Sequence, residues 1–94
     1  MADLVQEFFA SATARLGRMQ AALAEADAKT LEFEAHGLAG SCGVLGVIRM
    51  RIQCLELEQL ASQGALAQAP AAIDEVIRSL EEARPVLTEA ARST

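Results

Sequence analysis

Apolar residues recur at alternating spacings of four and three along almost the whole of this 94-residue chain, a rhythm that fits one face of a helix and no strand. Val5, Phe9, Ala12, Leu16, Met19 and Leu23 mark a first helix from about Asp3 to Ala26. Asp27 is placed to cap a second, which runs through His36 to about Leu45 with Leu31, Ala35, Leu38, Cys42 and Leu45 stacked on one side. Gly46 marks the next turn. A third helix, from about Val47 to Gln63, carries Val47, Met50, Cys54, Leu57 and Ala61 on one face, and Gly64 supplies its stop. The last begins near Leu66 or Pro70 and reaches about Ala91 on Leu66, Ala69, Ile73, Val76, Leu80, Ala83, Leu87 and Ala90. Pro85 predicts a kink or an early end near Arg84, because proline removes a hydrogen bond and clashes with the preceding turn. The connections are short, so the expected fold is all-α, an antiparallel up-down four-helix bundle forming a single domain over residues 1–94.

Composition narrows the partners. Hydrophobic residues make up 52% of the chain but aromatics only 3%, so the core must be aliphatic and rich in alanine, which suits closely packed helices. Eight Lys and Arg against thirteen Asp and Glu give a formal charge of -5, which disfavours nucleic acid or an anionic membrane and leaves a protein as the natural partner. Cys42 and Cys54 fall on core faces at a spacing unlike a zinc or redox motif, and read as reduced thiols used as small apolar residues. The N-terminus lacks the basic and apolar regions of a signal peptide, and no apolar run is long enough to span a bilayer. A cytoplasmic monomer is expected.

His36 is the only histidine. At about 100° per residue it falls with Phe33, Gly40 and Gly43 on the side opposite the core stripe of its helix. Glycine costs roughly 1 kcal/mol against alanine in a helix interior, so Gly37, Gly40 and Gly43 together give up stability that packing alone does not require. Bare backbone beside an outward imidazole predicts the close approach of another macromolecule. His36 lies ten residues before Gly46 and Glu58 twelve after. Along antiparallel helices these offsets are about 15 and 18 Å, within about one turn of each other. A carboxylate there accepts a hydrogen bond from one ring nitrogen, fixes the tautomer and leaves the other nitrogen as a nucleophile. Phosphoryl transfer to such a nitrogen needs positioning and electrostatic help, and the metal and most of the charge can come from a partner.

Phe33 and Val44 project with His36, as docking residues or, for Phe33, as packing at the edge of helix one or four. Ile48, Ile52 and Leu55 form a second stripe on helix three that either packs under a neighbour or adds to a partner surface. Other chemistries lack parts. Metal binding through His36 and Glu32 has one histidine and scattered carboxylates; no phosphate-binding glycine loop is present, so ATP is not expected as a direct substrate; no Ser or Cys dyad supports a hydrolase.

The stretch Ala35-His36, Leu38, Gly40-Ser41, Leu45-Gly46, Cys54 and Leu57-Glu58 resembles the histidine-containing phosphotransfer (HPt) domain of multistep two-component phosphorelays. The resemblance implies a carrier rather than a stand-alone enzyme. His36 would take a phosphoryl group from the receiver-domain aspartate of a hybrid sensor histidine kinase and pass it to a response-regulator receiver, Gly40 would leave room for the receiver, and Glu58 would orient the ring. No cofactor is implied in this chain; Mg2+ is expected in the partner receiver. The family usually has lysine where this chain has Ala39, which removes a cation beside the phosphoryl group. Arg51 and Lys29, each about two turns from the site, are candidates to compensate. The chief rival is an adaptor that binds receiver or kinase domains without transferring phosphate. A kinase dimerisation hairpin would need acidic and proline residues after the histidine, and Gly37 and Leu38 stand there instead.

Overall fold

In the computed structural model, which describes residues 2–45 and 47–93, four helices account for nearly everything. They are α1 (Ala2–Ala24), α2 (Ala28–Leu45), α3 (Ile48–Ser62) and, after a short 3-10 turn at Leu66–Gln68, α4 (Ala69–Ser93). No strand occurs among the described residues. Local chemistry sets their ends. Asp27 caps α2 as expected: the Thr30 backbone N–H donates to its Oδ1 at 3.1 Å and the Thr30 hydroxyl to its Oδ2 at 2.6 Å. These bonds hold the Asp27 carboxyl below its ordinary range. Gly64 closes α3 in a left-handed conformation, φ 72°, with Ala65 N–H donating to the Leu60 carbonyl and Gly64 N–H to that of Ala61. The same pair of bonds closes α1, where Asp27 N–H reaches the Ala22 carbonyl and Ala26 N–H that of Leu23, but the left-handed residue is Ala26 at φ 55°. The turn assigned to Gly46 lies outside the described residues.

The helices pack in chain order around a ring, α1 against α2 and α4, α3 against α2 and α4, with α2–α3 the most extensive pair. That is the expected up-down bundle, 43 × 19 × 18 Å overall. Its core holds Val5, Phe9, Ala12, Leu16, Met19, Leu31, Ala35, Leu38, Cys42, Met50, Cys54, Leu57, Ala61, Ala69, Ile73, Val76 and Leu80. The 4-3 stripes therefore mark the buried faces, while Leu23, Leu45, Val47, Leu66 and Leu87 pack at the margin. Phe8 is buried beside the α1 stripe, edge-on to Phe9 with centroids 5.3 Å apart.

Two expectations for α4 change. Of the kink or early end that Pro85 predicts, the early end does not occur, since α4 runs through Pro85 to Ser93. Pro85 and Glu81, whose carbonyl loses its donor, are both exposed, so the lost bond falls on the side of α4 open to water. Ala90 is exposed and Ala91 packs in its place, since a 3.6-residue period drifts away from a strict 4-3 alternation. No helix among the described residues is long and apolar enough to cross a membrane.

Candidate functional site

α2 and α3 bring His36 and Glu58 together. His36 Nδ1 lies 3.2 and 3.1 Å from the two Glu58 carboxylate oxygens, with the imidazole 73% exposed and the Glu58 side chain 26%. A carboxylate only accepts, so Nδ1 carries the proton; the tautomer that this bond selects has its lone pair on Nε2, on a ring largely open to solvent. The arrangement follows from local sequence. His36 sits on α2 opposite Leu38 and Cys42, which are fully buried, and Glu58 is the residue after Leu57, also fully buried on α3. Packing of these core residues fixes both backbones, and the hydrogen bond fixes the ring.

The surrounding surface is small or apolar. Gly40, one turn after His36, is exposed, and a Cβ there would meet nothing within 4 Å. Phe33 and Val44 are exposed on α2, and Ile48, Ile52 and Leu55 on α3; the second stripe of α3 thus stays uncovered rather than packing under a neighbouring helix. Gly43 is exposed too, but the Arg51 side chain lies across it, with Nε 3.5 Å and Cδ 3.6 Å from where a Cβ would be. Lys29 is exposed on α2, seven residues before the histidine. Ala39 is buried.

Gly37 has an internal explanation. A Cβ at Gly37 would overlap the guanidinium of Arg15 on α1, so that glycine makes room for an arginine of the same chain rather than for a visitor. Arg15 Nη1 donates to Glu34 Oε1 at 2.9 Å and Arg18 Nε to Glu34 Oε2 at 2.8 Å. Glu34 is 6% exposed. Burial alone would raise its pKa, but the hydrogen bonds and charges of Arg18 and Arg15 outweigh that and hold the carboxyl below its ordinary range. Sequence reading missed this cluster, although counting from the α1–α2 connection as from Gly46 finds it. Arg15 lies twelve residues before Asp27 and Gly37 ten after; Arg18 lies nine before and Glu34 seven after.

Cys42 and Cys54 are both buried, free thiols. The hydrogen bond from Cys54 outweighs burial and holds Cys42 low, with Arg51 adding its charge, whereas the same bond and burial push Cys54 up. No group of three or more His, Cys, Asp or Glu among the described residues is arranged to hold a metal ion.

The structure thus presents an outward imidazole held by a carboxylate on a four-helix bundle. The model of the Hpt domain family matches residues 3–85, and the chain belongs to that family. Its fold is also that of the crystal structure of histidine-containing phosphotransfer protein B (HptB) from Pseudomonas aeruginosa PAO1, at 32% identity and a TM-score of 0.90 over 98% of this chain and 79% of that one. No curated protein matches the chain significantly. Hpt domains serve histidine phosphotransfer in two-component systems, as carriers rather than enzymes in the ordinary sense, in exchange with receiver and kinase domains.

Proposed function

We propose that His36 Nε2 accepts a phosphoryl group from the receiver-domain aspartate of a hybrid sensor histidine kinase and delivers it to the aspartate of a response-regulator receiver. The observation that carries this reading is the Nδ1 contact with Glu58 at 3.1 Å on a ring that is otherwise open. In transfer, the Nε2 lone pair attacks the phosphorus of the aspartyl phosphate, the P–O bond to the aspartate breaks, and the aspartate leaves as a carboxylate. The imidazolium that forms keeps its proton on Nδ1, where it donates to Glu58, whose negative charge stabilises the ring. Return to a second aspartate reverses these steps.

Mg2+ is expected in the receiver, where the carboxylates are. Gly40 supplies the clearance for that approach, and Phe33, Val44, Ile48, Ile52 and Leu55 offer the apolar surface to be covered. Ala39 favours one rival, an adaptor that binds receivers without transfer, since no lysine stands beside the ring. Within the carrier reading, the same alanine predicts slower transfer or a shorter-lived phosphohistidine than in Ala39→Lys; equal rates for the two proteins would discard that role for the missing cation.

Incubating the chain with a phosphorylated receiver, then with an unphosphorylated one, separates carrier from adaptor. The carrier takes the label and passes it on, and His36→Gln takes none. Stable binding without label in either step identifies the adaptor.

A further inference from the structure

Arg51 is one of three arginines, with Arg49 and Arg78, whose side chains make no hydrogen bond, ion pair or ring contact among the described residues, and of the three it alone lies against a glycine of α2. Arg15 and Arg18 are tied to Glu34, Arg92 to Glu89, and Arg84 stacks over the Phe9 ring at 4.5 Å. Arg51 makes no hydrogen bond or ion pair through its side chain among the described residues. Its stem lies against the bare backbone of Gly43, which sets the guanidinium over the α2–α3 seam instead of letting it sweep through solvent. Residues flanking it in sequence or on the facing helix are apolar and open: Val44, Ile48 and Leu55.

Arg51 lies seven residues before Glu58 on α3, and Gly43 seven after His36 on α2. The guanidinium therefore stands about 10 Å along the bundle from the phosphoryl-accepting ring, too far to neutralise a phosphoryl group on Nε2 in the way a neighbouring lysine does. It is nevertheless on the same face. A partner that covers Val44, Ile48 and Leu55 takes this cation out of water, and an unpaired charge in a covered apolar patch opposes binding.

Resting on the carrier reading, we propose that Arg51 is a docking and selectivity residue that pairs with a carboxylate on the receiver surface about two helical turns from the phosphorylated aspartate. Receivers with an acid at that place are accepted, and those with a neutral or basic residue there are disfavoured.

The test uses the full chain and the receiver domain that loads wild-type His36 fastest among a panel of phosphorylated receivers. Transfer is followed against receiver concentration and salt for wild type, Arg51→Lys, Arg51→Ala and Arg51→Glu, with thermal midpoints to check folding. Labelling of His36 by phosphoramidate, which needs no docking, is measured alongside. The expected result is a half-saturating concentration raised about tenfold in Arg51→Ala and further in Arg51→Glu, partial rescue in Arg51→Lys, a flatter salt dependence, and unchanged maximal transfer rate and phosphoramidate labelling. Wild-type half-saturation and salt dependence in Arg51→Glu would overturn this role for Arg51 and leave the carrier intact. A wild-type chain that no receiver can label overturns the carrier reading and this one together.

Discussion

At the scale of single residues, the three glycines of α2 separate into different physical roles. Gly40 has open space where a Cβ would go, Gly37 accommodates Arg15, and Gly43 is in ordinary contact with Arg51. Gly40→Ala is accordingly expected to stabilise the fold by about 1 kcal/mol, a rise of a few degrees in thermal midpoint, while slowing transfer from a receiver at least tenfold. A variant that gains stability and transfers at the wild-type rate would show that Gly40 is not a clearance residue. Glu58→Ala leaves the ring free to rotate and is expected to lower the transfer rate by about a hundredfold with the fold retained; stopped transfer assays and circular dichroism read the two effects separately. The His36–Glu58 pair was legible in the sequence because both residues are counted from one turn and both flank core positions. The internal use of Gly37 was hidden because a projection of α2 alone carries no information about what α1 places beside it.

Among the elements, helix ends follow short-range chemistry closely, and one of them is imperfect. α1 ends with Ala26 at φ 55°, a left-handed conformation that costs an L-residue bearing a Cβ about 1 kcal/mol and costs glycine nothing in steric terms. Ala26→Gly is thus expected to stabilise the protein by up to about 1 kcal/mol, measured as a higher urea midpoint at unchanged slope; a lower midpoint would mean that chain entropy outweighs the relieved strain. The cap at Asp27 and the stop at Gly64 were readable because Asp and Gly announce their conformations. Ala26 was not, since alanine gives no turn signal and is forced left-handed by the two hydrogen bonds that close the helix. The early end that Pro85 predicts does not occur, because packing of Leu87 and Ala91 against the core carries α4 past it.

For the whole molecule, the bundle was legible because its signal is spread over four stripes of apolar residues and tolerates errors at single positions such as Ala90. The ionic cluster around the buried Glu34 was not, since Glu34 reads locally as one more charge on an amphipathic helix. That cluster ties α1 to α2 and makes stability depend on pH. The Glu34 carboxyl is held below its ordinary value of 4.5 in the folded state, so its contribution is fully present above that value and is lost as the pH falls through the lower, folded one. Wild type is expected to lose stability with acid below about pH 5 more steeply than Glu34→Gln, which should itself cost about 1–3 kcal/mol at neutral pH by leaving two arginines without their carboxylate; parallel acid profiles would contradict the linkage. Together α2 and α3 hold one imidazole with Nδ1 bonded to Glu58 and Nε2 left open to react. The most direct measurement is the site of phosphate on the chain after loading by a phosphorylated receiver, read by mass spectrometry and phosphorus NMR. An acid-labile phosphate on His36 Nε2, absent in His36→Gln, is the expected result; phosphate on Nδ1, or on any other residue, would rule out this use of the ring.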